Sequence, residues 1–162
     1  MSIKKLPEVK YIAPLRCWDV YAQTLLPTAP NCPVSRDERI LRYLGAKHKW
    51  QGFPALRQHT YEALILTDQH NKIIWVNAGF KKMTGYTPHN VIGRSPKILQ
   101  GQLTSPQALK RFSALLKKEM PFTTKILNYR KNQSTYICEI EVFPLRNQSG
   151  EISHHLALEK EL

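Results

Sequence analysis

Apolar and polar positions follow two different periods along this chain, and the change falls near residue 60. In "SRDERILRYLGAKHKW" the apolar residues Ile40, Leu41, Tyr43 and Leu44 form a stripe at helical spacing. Ser35 with Glu38 three residues later has the form of a capping box, so a helix is predicted from Arg36 to about Lys49. Farther upstream, Pro7, Pro14, Pro27, Pro30 and Pro33 break any long helix. Between them "LRCWDVYAQTLL" predicts a short helix, too apolar at Leu15, Trp18, Val20, Tyr21, Leu25 and Leu26 for a free tail. A further short helix is expected near "RQHTYE".

Beyond that point the pattern becomes extended. "ALILTD" and "KIIWVN", rich in branched apolar residues and separated by "QHN", predict a hairpin. Short helices fit "AGFKKMTGY" and "TPHNVIG". A longer helix follows, with Ser105 as N-cap, Pro106 in the first turn, and Ala108, Leu109, Phe112, Leu115 and Leu116 on one side. "FTTKILNYR", "TYICEIEVFPL" and "EISHHLALEKEL" read as three strands joined by the turns "KNQS" and "RNQSG".

A chain of 162 residues suits one domain with an extension. No apolar run reaches membrane-spanning length, and the N-terminus lacks the apolar core and cleavage site of a secretory signal, so the cytoplasm is the expected location. Cys17, Cys32 and Cys138 have no paired spacing, and adjacent His154 and His155 point to opposite faces of a strand, so neither a disulfide framework nor a metal site is expected. The net charge of +12 is compatible with a polyanionic partner. It is spread evenly: 10 basic against 4 acidic residues up to Thr60, and 14 against 8 after it. With no zinc-finger spacing or RNP-type aromatic motif, nucleic-acid binding is not expected. A phosphate-binding glycine loop, HExxH and a nucleophile elbow are all missing, which argues against an enzyme.

The ordered words "TDQHNKIIWVNAGFKKMTGY", "IGRSPKILQG", "NYRKN" and "GEISHHLALEKE" resemble the PAS family, and within it the flavin-binding light-oxygen-voltage (LOV) branch, over roughly Tyr61 to Leu162. Asn77, Phe80, Thr84, Gly85 and Tyr86 match the "N-x-x-F" and "TGY" signatures. The resemblance implies an α+β fold: a five-stranded antiparallel sheet with short helices and one longer helix, closing over a small pocket. Residues 1–60 would form an N-terminal proline-rich arm and helical cap, and 61–162 the PAS domain.

The same comparison implies a set of pocket positions. LOV photoreceptors carry "GRNCRFLQG", whose cysteine bonds to flavin; this chain reads "GRSPKILQG", with Pro96 in that place, so the adduct is not expected here. Ser95 replaces an asparagine, Lys97 a phosphate-binding arginine, Ser113 a second arginine, Cys138 a flavin-ring asparagine and Glu159 the glutamine that senses flavin state. Asn128 and Gln100 are retained, and their bland reading is that they fasten loop to sheet. Glu159 is left with several roles open: outward near the chain end, or tied to Lys97 or Lys160. Flavin mononucleotide is therefore the less favoured ligand and the pocket's ligand stays unspecified; haem is disfavoured because the long helix has no histidine.

If Asn128 and Cys138 point inward, alternation places Leu127, Tyr129, Ile137 and Phe143 on the outer face of the sheet, joined by Leu156 and Leu158 if Glu159 points inward. So apolar a face needs a cover, either the Arg36 to Lys49 helix and its arm or a second subunit. These readings describe a stand-alone sensory or regulatory module acting through protein–protein contact, as a homodimer or with a signalling partner. The alternative is a sensor that holds flavin noncovalently.

Overall fold

The computed structural model describes residues 35–162, so the short helix expected at "LRCWDVYAQTLL" lies outside the described residues. Helix α1 (Arg36–His48) starts where expected: the Ser35 hydroxyl accepts the Glu38 backbone N–H at 3.1 Å. The reciprocal half of the capping box is missing, because the Glu38 carboxylate pairs with Arg42 one turn on, at 2.8 Å. Lys49 ends the helix in a left-handed conformation, φ 56°, and its N–H returns to the Ala46 carbonyl. In place of the helix expected near "RQHTYE" is a single 3-10 turn, Leu56–Gln58. Its Leu56 is buried beneath the sheet, and the chain is already extended at His59, which leaves no length for more.

The hairpin follows as β1 (Ala63–Asp68) and β2 (Ile73–Val76). Asp68 Oδ1 closes its turn by accepting the N–H groups of His70 and Lys72. Next come α2 (Ala78–Thr84), α3 (Pro88–Val91), a 3-10 turn (Pro96–Leu99) and α4 (Pro106–Leu116), then β3 (Phe122–Tyr129), β4 (Thr135–Arg146) and β5 (Ile152–Glu161). The strands form one antiparallel sheet in the order β2-β1-β5-β4-β3.

Asn77 joins three elements. Its Oδ1 caps α2 by accepting the Phe80 N–H and also accepts the Leu64 N–H of β1, both at 3.0 Å, while Nδ2 donates to Asp37 Oδ2 of α1 at 2.9 Å. A carboxamide is required here, since the site needs an acceptor and a donor on one short side chain. Thr84 and Gly85 close the same helix: the threonine hydroxyl donates to the Phe80 carbonyl, and Gly85 takes φ 76°, where a side chain would be strained.

Each face of the sheet has its own core. On the inner face Ile65, Ile126, Ile140 and Val142 pack against Phe80, Val91 and Leu99 from the helices and loops. On the outer face Leu64, Leu66, Leu156 and Leu158 meet Ile40, Leu41 and Leu44 of α1. The helix therefore covers the β1 and β5 part of the outer apolar face of this same chain, and its Leu41 is completely buried in that contact.

Candidate functional site

Between the inner face of the sheet, the Pro96–Leu99 turn and α4 lies a cavity of about 80 Å³. Its walls are mostly aliphatic, with Phe112 and Leu116 of α4 forming one side. No residue of α4 is fully buried, so this helix lies on the sheet as a partial cover. Near Asn71, Pro96, Gln100 and Leu116 the cavity meets a surface groove that carries Lys97, Lys110 and Lys117.

The structure separates the residues named from sequence. Asn128, Gln100 and Glu159 line the cavity, and Pro96 stands at its edge. Ser95 and Lys97 line the surface groove instead, where the Ser95 hydroxyl accepts the Lys97 N–H and caps the 3-10 turn. Cys138 faces inward but belongs to the packed core, where burial, and then the nearby Glu159 carboxyl, push its thiol well above the usual range. It is a poor nucleophile.

Glu159 points inward and forms neither of the lysine ion pairs considered for it. Only 3% of the residue is exposed, and its Oε2 has no hydrogen-bond partner among the described residues. Burial pushes the carboxyl up to about 7, against a small opposing effect from a hydrogen bond with Cys138. His155, two inward positions earlier on β5, also lines the cavity; burial lowers its proton affinity and its Nδ1 is likewise without a partner.

The loop that follows Gln100 is fastened by Thr104, which no sequence signal marked, and by Tyr129, expected only on the outer face. Thr104 Oγ1 donates to the Leu127 carbonyl at 2.8 Å and accepts the Gly101 N–H at 3.0 Å. The Tyr129 hydroxyl accepts the Leu103 N–H at 2.8 Å, and its ring lies so close to Gly101 that a Cβ there would stand 2.5 Å from it. Gly101 is thus required by close approach.

On the outer face, Leu156, Leu158 and Phe143 belong to the cluster under α1. Leu127 and Tyr129 are half-buried on the β3 edge, while Ile137 is 42% exposed and Leu162 beside it 55%. A second polar cluster joins the end of α1 to β5: the Trp50 indole N–H donates to His154 Nδ1 at 3.1 Å, and the His48 ring lies 4.4 Å from that of His154.

A flavin does not fit this cavity. A cavity of about 150 Å³ holds one benzene ring; the volume here is about half that, against the three fused rings of an isoalloxazine. The floor is a carboxyl with lowered acidity, and Pro96 leaves no thiol in the loop.

The PAS domain family model matches residues 62–161. A blue-light-activated histidine kinase of Brucella canis is 29% identical over 108 residues, covering 65% of this chain and 22% of that protein. A nitrogen fixation regulatory protein of Klebsiella oxytoca is 26% identical over 125 residues, covering 77% of this chain and 25% of that protein. Among solved structures, the light state of the blue-light photoreceptor aureochrome1 LOV superposes with a TM-score of 0.62 at 25% identity, covering 68% of this chain and 89% of that one. The chain therefore spans a quarter or less of the length of these two curated relatives.

Proposed function

The chain belongs to the PAS domain family, and from that premise we propose that it is a sensory or regulatory module of signal transduction, acting by protein–protein contact and without cysteinyl-flavin photochemistry. The observation that carries this reading is the cavity: too small for a flavin ring system, with Pro96 where the adduct would need a thiol. Relatives that are a histidine kinase and a nitrogen fixation regulator support a place in signalling. They offer no support for catalysis by this region itself.

Residues 1–60 act as arm and cap and residues 61–162 as the sensory domain. Packing of Ile40, Leu41 and Leu44 on the outer face supports this division. The output surface is the rest of that face, around Leu127, Ile137 and Leu162, where apolar side chains stay open to a second copy or to a signalling partner. No helix of the described residues is long and apolar enough to cross a membrane; the cytoplasm is the proposed location.

The test is an absorption spectrum of the full chain purified in dim light, repeated after incubation with flavin mononucleotide. A colourless protein that takes up no flavin is expected. Stoichiometric flavin bands would overturn the reading in favour of a noncovalent flavin sensor. Light scattering of the wild type and of Ile137→Asp tests whether a second copy occupies the output surface: loss of self-association in the variant supports it, and an unchanged oligomer excludes self-association through this face.

A further inference from the structure

The cavity is small, about 80 Å³, and three successive inward positions of β5, His155, Ala157 and Glu159, line it. On either side of that strand, Ile65 of β1 and Val142 of β4 pair with Ala157 in the sheet and also line the cavity, so this part of its wall is aliphatic. Its polar lining is Thr67, Asn71, Gln100, Asn128, His155 and Glu159, of which Glu159 is the one carboxyl.

Glu159 is the unexplained element. A buried carboxylate is ordinarily paired with a cation or satisfied by several hydrogen bonds. Here Oε2 has neither, and no described cation stands within ion-pair distance of the residue. An ammonium group supplies three donors and the missing charge in a head small enough for the cavity. Its alkyl chain would lie against Ala157, Val142 and Leu116. We propose that this cavity binds a small aliphatic amine, with the protonated nitrogen on Glu159. The proposal rests on the reading that the cavity is not a flavin site.

The experiment is calorimetric titration of the full-length protein with n-butylamine and n-butanol at about pH 8 and constant ionic strength, with a flavin mononucleotide titration alongside. A charge-assisted contact predicts n-butylamine binding at least about tenfold tighter than n-butanol. Glu159→Gln should remove the preference for the amine while leaving the circular dichroism spectrum unchanged. Ala157→Leu, which fills the cavity without altering charge, should abolish binding altogether. Equal affinity for n-butanol, or a preference that survives Glu159→Gln, overturns the proposal. Failure of n-butylamine without flavin uptake overturns this inference alone; flavin uptake overturns the reading beneath it as well.

Discussion

Replacing Glu159 by glutamine should make the protein more stable, by an amount that depends on pH. The folded carboxyl titrates at about 7 against an ordinary value of 4.5. It therefore keeps its proton where the unfolded chain has already released it. Stability must fall as pH rises between those two values, because the folded state binds the extra proton. At about 1.4 kcal/mol per tenfold step in proton affinity, the deficit above pH 7 is roughly 3 kcal/mol. Glutamine keeps the shape and never ionises, so it lacks this fall. Urea denaturation of both proteins at about pH 5 and about pH 8 isolates the effect, since every other titrating group cancels in the comparison. The advantage of the variant should grow by roughly 2 to 3 kcal/mol from the lower pH to the higher. If it stays constant, the carboxyl is not held neutral by burial, and the argument about its environment fails.

Asn77→Ala removes the cap of α2 together with its bonds to β1 and α1, and should cost about 2 to 4 kcal/mol in denaturant unfolding, more than an isolated cap. Gly101→Ala drives a methyl into the Tyr129 ring and should destabilise by about 1 to 3 kcal/mol; the double variant with Tyr129→Ala should lose less than the sum of the two single changes. Burial and the neighbouring His48 lower His154 to about 4, so the stability it contributes is complete above its ordinary 6.5 and is lost as pH falls through about 4. Its Nδ1 must be unprotonated to accept from Trp50, so acid titration of the wild type should show a Trp50 fluorescence change that His154→Gln abolishes.

The elements were legible where one local signal sufficed. Ser105 and Pro106 mark the start of α4, and with Asn128 and Cys138 set inward by the family resemblance, alternation turns Leu156 and Leu158 outward once Glu159 faces in, as the two cores and the cavity lining have it. What stayed hidden depends on partners far along the chain. Cys138 and Glu159 share a face, but only the packed geometry shows that the thiol is sealed in the core while the carboxyl reaches the cavity. Tyr129, alternating outward, bends its ring onto the loop at Gly101, since an edge strand leaves nothing beyond it to prevent that. The Trp50 to His154 bond spans 104 positions, and no periodicity announces it. The helix expected near Arg57 is cut to a single 3-10 turn because Leu56 is anchored beneath the sheet and the chain is extended again at His59.

In the order of synthesis β5 follows the four strands it joins, yet it lies between β1 and β4. The earlier strands emerge as two separate hairpins, whose β1 and β4 edges stay unpaired and are joined in one sheet only when residues 152–161 leave the ribosome. Pairing of Ala63 with Glu159 is a contact of very long sequence separation, the kind that slows folding and leaves strand edges exposed to other chains meanwhile. A ribosome-stalled chain ending at Ser149 should therefore be protease-sensitive throughout its sheet, and adding a peptide of β5 in trans should restore protection to both hairpins at once.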